Sequence, residues 1–321
     1  MGKMALWGAA GAIGRSIADA FRAQGRPYRV VGRSLSGLKA TFGGDPLAEA
    51  VAWNPDDEDS VRAAARGVDT LVYLVGVPYP DFALHPVLMK RTLEAAIAEG
   101  VERLVLIGTV YPYGRPRSAT VGEDHPREPH TFKGRMRKEQ EDLVLAADAA
   151  GRIRGTVLRL PDFYGPGVDK SFLHSAFQTA LAGGTANLVG PIDVPHEFVY
   201  VPDVGPVVRS LADKPEAYGR VWHLAGAGAT TQRALVERIF AEAGRAPRFR
   251  VASKLMLRLL GLRDPFLREM VEMHYLLTQP VLLDDSALRG LLGAVSKTSY
   301  EEGIRQTLGA MRAEAKGAGA A

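Results

Sequence analysis

Cysteine is absent from all 321 residues, which excludes disulfides, thiolate metal centres and cysteine nucleophiles together. Histidine is scarce: the seven present are scattered, and none forms a metal-like pair at i, i+4, so no metal site is expected. No apolar run reaches the ~18 residues that a membrane span needs, and no leader precedes the first apolar stretch. The expectation is a soluble, cytoplasmic protein with no membrane partner. An excess of one charge is also missing. Forty basic residues face 36 acidic ones for a net charge of +4. That mixed surface does not describe a nucleic-acid partner and suits a small anionic ligand better.

What the chain does have is concentrated at its beginning. Lys3 to Trp7 is a short apolar run, Gly8-Ala9-Ala10-Gly11-Ala12-Ile13-Gly14 follows, and apolar and charged residues then alternate through Arg22. This reads as strand, glycine turn and helix. The first glycine permits a tight turn, the second lets backbone N–H groups approach a pyrophosphate, and the third lets helix and strand pack closely. The helix start turns its partial positive charge toward the phosphates. Gly8, Ala10, Gly11, Ala12, Ile13 and Gly14 therefore form the expected phosphate-binding segment.

The next strand, Tyr28 to Ser34, should end near the adenosine ribose. Arg33 and Ser34 occupy that spot. An acid there would bind the ribose hydroxyls of NAD, whereas Arg33 and Ser34 offer donors and charge to a 2′-phosphate, so NADP is preferred over NAD. The alternative is a solvated loop arginine. Leu47 to Trp53 is a third strand, after which Asp56 lies beside the adenine or caps a helix together with Asp57. Asp69 to Gly76 is a buried parallel strand whose end, with Val75 and Gly76, passes over the middle of the dinucleotide. Helices over Phe82–Glu99 and from about Thr131 to Ala150 alternate with strands over Arg103–Thr109 and Ile153–Leu160. That alternation describes an α/β fold of Rossmann type, a doubly wound parallel sheet flanked by helices.

Four stretches then point to a family: the glycine turn, Thr109-x-x-x-Tyr113-Gly114, the run Arg159-Leu160-Pro161-Asp162-Phe163-Tyr164-Gly165-Pro166-Gly167, and His196-Glu197-Phe198-Val199-Tyr200-Val201-Pro202-Asp203-Val204. With them, nearly the whole chain resembles an extended short-chain dehydrogenase/reductase of the NAD-dependent epimerase/dehydratase type. The resemblance implies a dinucleotide-binding domain over about 1–165, with Leu160 and Phe163 beside the cofactor. It also implies a small C-terminal substrate lobe over 166–314, from which segments return to the core. Residues 315–321 read as a flexible tail.

In that family a Ser or Thr bonds the reacting oxygen, a Tyr passes the proton, and a Lys four residues later supports the Tyr and binds the nicotinamide ribose. Thr109 matches the first role and Lys138 the last, but Gly134 stands four residues before Lys138. The proton donor is missing. Tyr111, Tyr113 and Lys133 are the candidates to replace it, and Tyr79, Tyr164 and His196 the candidate substrate contacts. Each tyrosine also reads as a packing residue.

Between 253 and 278 a row of apolar residues, Leu255, Met256, Leu259, Leu260, Leu262, Phe266, Leu267, Met270, Met273 and Leu276, is too apolar for a solvent face. It should roof the cleft, join the core or pair with a second copy in a homodimer. A roof would make the substrate partly apolar. The function expected is NAD(P)-dependent oxidoreduction at a carbonyl or alcohol of a small substrate. The alternatives are a non-catalytic NADP-binding regulator and a nucleotide-sugar epimerase or dehydratase.

Overall fold

The computed structural model describes residues 2–169, 171 and 173–318. The first half builds the sheet. Strand β1 (Met4–Trp7) leads through the glycine turn into α1 (Ala12–Arg22), and β2 (Tyr28–Gly32) into α2 (Leu35–Phe42). Next come β3 (Ala48–Ala52), α3 (Glu58–Ala65), β4 (Thr70–Tyr73) and α4 (Leu84–Ala98), then β5 (Arg103–Thr109), α5 (Phe132–Ala149) and β6 (Arg154–Leu160).

The second half begins with β7 (Asp162–Tyr164), α6 (His174–Ala182), β8 (Ala186–Val189), β9 (Pro195–His196), β10 (Phe198–Tyr200) and α7 (Val201–Asp213). It continues through β11 (Val221–His223), β12 (Thr230–Thr231), α8 (Gln232–Glu242), β13 (Phe249–Ala252), α9 (Lys254–Leu260) and α10 (Pro265–Met273). Three helices close the chain: α11 (Tyr275–Thr278), α12 (Ser286–Leu292) and α13 (Tyr300–Ala318).

Seven strands form one sheet in the order β11-β6-β5-β4-β1-β2-β3. All of its pairings are parallel. Alternate residues of a strand point to opposite faces, so a sheet covered on both sides needs strands that are apolar throughout. β1 obeys this: Met4 and Leu6 enter the core beneath α1 and α7, while Ala5 and Trp7 enter the core beneath α3, α4 and α5. Strand order reverses between β1 and β4, and in such sheets the crevice at the carboxyl ends of the strands around that point is where ligands bind.

The lobe has its own core. Phe177, Phe198, Leu235, Ile239, Ile304 and Leu308 pack together from α6, β10, α8 and α13, with Leu173 just before α6. The chain also crosses back twice, α7 packing on α1 and β11 completing the sheet beside β6. The expected tail is different: α13 continues to Ala318, so residues 315–318 are helical, and 319–321 lie outside the described residues.

One buried ion pair joins helix to sheet. Arg159 of β6 bonds Glu141 of α5 through Nε at 3.0 Å and Nη2 at 2.5 Å, and lies over the Tyr113 ring at 4.4 Å. Removing one partner of such a pair leaves an uncompensated buried charge. Glu141→Leu should therefore lower stability by about 3–5 kcal/mol, read as a fall in the urea midpoint at unchanged slope. A midpoint within error of the wild type would mean that Arg159 finds another partner.

Candidate functional site

The glycine turn separates into its three roles. Gly8 has φ of 91° and donates its N–H to Val31 O at 2.9 Å. A Cβ on Gly8 would lie 2.9 Å from Leu74 O and from the Cα of Val75, and one on Gly14 would lie 2.2 Å from Ala9 O. The chain's own packing thus requires both. It does not require Gly11: a Cβ there meets nothing within 4 Å, and its φ of −74° suits any residue.

Gly11 is also the first flanking residue of α1, a helix with no side-chain cap and no acid in its first turn. Its leading N–H groups stand open beside the exposed Ala10 and Gly11 and the half-buried Ala12 and Ile13. Gly76, after β4, likewise has nothing within 4 Å of a built Cβ. An open helix start next to a glycine that the protein itself does not need is a fit for a dinucleotide's phosphates.

The ribose end is less uniform. Arg33 is exposed, and no ion pair or hydrogen bond to its side chain occurs among the described residues. Ser34 is occupied, because its Oγ caps α2 by accepting from Gly37 N at 3.0 Å. Asp56 bonds Arg91 of α4 at 2.5 Å, and Asp57 caps α3. Leu160 is buried in the core that includes Leu158, with Phe163 packed against it.

Past the carboxyl ends of β4, β5 and β6 several polar side chains meet. Tyr79 and Tyr111 share a hydrogen bond between their hydroxyls at 3.2 Å, and the Tyr111 N–H points to Thr109 Oγ1 at 3.4 Å. His196 Nε2 lies 2.7 Å from Asp162 Oδ2. The Asp162 carboxylate acts on Tyr79, Tyr111 and Tyr275 alike, so these groups are neighbours. Burial raises all three phenols above their ordinary range, and the Asp162 charge adds a smaller push in the same direction. They stay protonated and serve as donors. The hydroxyl of Tyr275, a residue only 6% exposed, has no hydrogen-bond partner among the described residues.

Helix α5 brings the charge. Thr131 caps it by accepting from Gly134 N at 3.0 Å, and its inward face carries Lys133, Arg137, Gln140 and Glu141. Lys133 is 0% exposed; its Nζ donates to Glu269 at 2.5 Å and to Glu272 at 2.6 Å, both on α10, and lies 5.3 Å from the centre of the Tyr79 ring. One turn on, Arg137 donates to Ile107 O and to His85 Nδ1, each at 3.1 Å. Guanidinium can only donate, so His85 accepts at Nδ1 and carries its proton on Nε2. Burial, and then Arg137, push the His85 pKa down to about 2.

These contacts shift the register expected on α5. Lys138 is half-buried on the outer side and pairs with Asp142 at 2.6 Å, so it does not face the crevice. Gly134 is no vacated tyrosine position either: a Cβ there would come 2.6 Å from Pro129 Cβ and 2.8 Å from Tyr111 O. The pair spaced by four that does point inward is Lys133 and Arg137. The burial pattern 133, 137, 140, 141, 144 was open to a helical-period count of α5.

Two other candidates leave the site. Tyr113 is buried, its hydroxyl 2.5 Å from His223 Nε2, and burial pushes its pKa up to about 12. His223 Nδ1 lies 2.9 Å from the Asp284 carbonyl and donates to it, so Nε2 accepts a hydrogen bond from the Tyr113 hydroxyl. Tyr164 lies in the lobe core among Phe177, Tyr200 and Tyr300. The apolar row divides: Met273 and Leu276 join a buried core with Val110 and Tyr113, whereas Leu255, Met256, Leu259, Leu260 and Leu262 are exposed. A cleft of about 520 Å³ does open on the lobe side, lined by Glu197, Asp284, Asp285, Arg289 and Lys297 among others. It includes none of the α5 cluster, and Arg289 and Lys297 are both bound to Asp285.

Comparison with known proteins identifies the family and the fold. The model of the NAD dependent epimerase/dehydratase family matches residues 4–225. The chain belongs to that family. One relative, the dTDP-6-deoxy-L-talose 4-dehydrogenase (NAD(P)(+)) of Kitasatospora kifunensis, is 29% identical over 75% of this chain and 79% of its own. Among solved structures, dTDP-glucose 4,6-dehydratase from Bacillus anthracis in complex with NAD superposes with a TM-score of 0.83 at 16% identity, covering 98% of both chains. UDP-glucuronic acid 4-epimerase from Bacillus cereus in complex with NAD reaches 0.80 at 17%, again over 98% of both. At these identities the structures establish the Rossmann-type fold alone.

The glycine geometry makes a sharp prediction. Gly11→Val should leave the thermal midpoint of the free protein nearly unchanged, because its side chain enters open space, while abolishing the rise in midpoint that a bound dinucleotide causes. An intact rise would show that the open position is not where phosphates lie.

Proposed function

We propose that the chain is an NADP-preferring oxidoreductase that interconverts a carbonyl and an alcohol carbon on a sugar nucleotide, with Lys133 in the place of the family's tyrosine. The observation that carries this reading is the placement of Lys133 and Arg137, one turn apart on the inward face of α5, beside the Thr109, Tyr79 and Tyr111 cluster. The kinship to a dTDP-sugar 4-dehydrogenase supports the substrate class.

A bound dinucleotide supplies hydride exchange at its nicotinamide; the rest falls to this chain. The open N–H groups of α1 and Gly11 hold the phosphates, and Arg33 meets the 2′-phosphate. Thr109 Oγ1 and Lys133 Nζ hold the reacting oxygen. When carbonyl becomes alcohol, Lys133 gives that oxygen a proton, and it recovers the proton in the reverse direction. A cation fixed in a water-poor site also stabilises the charge that develops on oxygen. Arg137 acts through position: it fixes α5 against Ile107 of β5 and thereby sets where Lys133 begins. Tyr79, Tyr111, Asp162 and His196 provide donors and acceptors for sugar hydroxyls. Glu269 and Glu272 occupy Lys133 from α10, so substrate entry has to displace them.

Two measurements test this. In thermal unfolding with NADP+, NADPH, NAD+ and NADH, a ligand at ~100 times its dissociation constant should add about 2.7 kcal/mol. The phosphorylated pair should give the larger rise, and Arg33→Ala should remove the difference; equal rises in the wild type would sink the NADP preference. In a panel of keto- and hydroxy-sugar nucleotides, Lys133→Met should lose roughly 10²–10⁴-fold in turnover while keeping the cofactor-induced rise. Undiminished turnover in that variant would end the assignment, and tight cofactor binding with no turnover in the wild type would favour the regulatory alternative.

A further inference from the structure

We propose that the outer face of α9 docks the protein onto an anionic lipid bilayer. Two features meet there. Leu255, Met256, Leu259 and Leu260, at positions i, i+1, i+4 and i+5, share one side of α9, and Leu262 continues the patch past its end. All five are exposed, Leu255 at 65% and Leu262 at 80%. Leu257 turns the other way and is buried, so it fixes the helix with its apolar side outward.

The second feature is charge. From 243 to 263 the sequence holds six cations, Arg245, Arg248, Arg250, Lys254, Arg258 and Arg263, and no acid. All six are exposed, and none forms an ion pair among the described residues. Lys254 and Arg258, four apart, border the leucine face. Protruding aliphatic side chains flanked on α9 by Lys254 and Arg258, with further unpaired cations on either side in sequence, suit a surface that offers hydrocarbon beneath anionic headgroups.

That charge argues against the other occupants. Two copies joined symmetrically through α9 would bring like-charged clusters together, which is unfavourable. A nucleic acid would satisfy the cations and leave the leucines in water. The absence of a membrane-spanning helix does not bear on this mode, because the face lies on the bilayer and crosses nothing. Docking also has a path to the crevice. α9 packs on α10, and α10 carries Glu269 and Glu272, which hold Lys133.

The test is co-sedimentation of the full chain with vesicles of phosphatidylcholine alone and of equal parts phosphatidylcholine and phosphatidylglycerol. Binding is expected to the mixed vesicles, weak or absent on the neutral ones, and sharply reduced at 0.5 M salt. Leu255→Ser/Leu259→Ser/Leu262→Ser should weaken it at least tenfold, as should Lys254→Glu/Arg258→Glu/Arg263→Glu. Both sets lie on the surface, so their thermal midpoints and cofactor-induced rises should match the wild type, which separates failure here from failure of the oxidoreductase reading. No binding to mixed vesicles overturns the proposal. So does binding unaffected by either set, or a dimer in sedimentation equilibrium that the leucine set dissolves.

Discussion

A cation carried into a protein interior must find a partner there, because the cost of leaving it unpaired exceeds most single packing contributions. Helix α5 is organised by that constraint. Its buried face carries Lys133, Arg137 and Glu141, and each is satisfied by a different part of the molecule: Glu269 and Glu272 on α10, Ile107 O on β5 with His85 on α4, and Arg159 on β6. Three strong contacts in two turns therefore fix α5 against the sheet, the neighbouring helix and the lobe at once. The crevice inherits its shape from this arrangement.

The two ends of the crevice are built by different physics. At the glycine turn, backbone sets the geometry: an uncapped helix start, a positive-φ glycine that makes the turn, and a glycine whose missing side chain leaves space. At the other end, side chains from the segments after β4 and β5, from β7 and β9, and from α5 and α10 converge. A lysine ammonium and a phenol both carry a proton near neutral pH, but the ammonium also brings positive charge. The neighbouring tyrosines, raised by burial and by Asp162, are kept as donors.

Much of this was legible along the chain. Strand β5 ends where its apolar run ends, at Thr109, and the glycine spacing announced the tight turn at Gly8 and the close packing at Gly14. Local signals of this kind depend only on near neighbours. The register of α5 was not legible in the same way. Counting back from Lys138 led to Gly134, whereas burial shows that the helix turns Lys133 and Arg137 inward, and that rotation is set by Arg159 and Ile107 at distant places in the sequence. Tyr113 and Tyr164 looked like site residues because they follow strands, yet the loops behind them fold into cores.

By itself the sequence determined the alternation of strand and helix, the open dinucleotide turn and the family, since these follow from periodicity and from glycine's lack of a side chain. Only the tertiary structure decided which charged groups face the crevice, which of them are paired, and that the aliphatic side of α9 looks outward. The reason is that burial and charge pairing are properties of residues far apart in sequence. Lys133 and Glu272 are separated by 139 positions and meet only once the lobe has closed over the sheet.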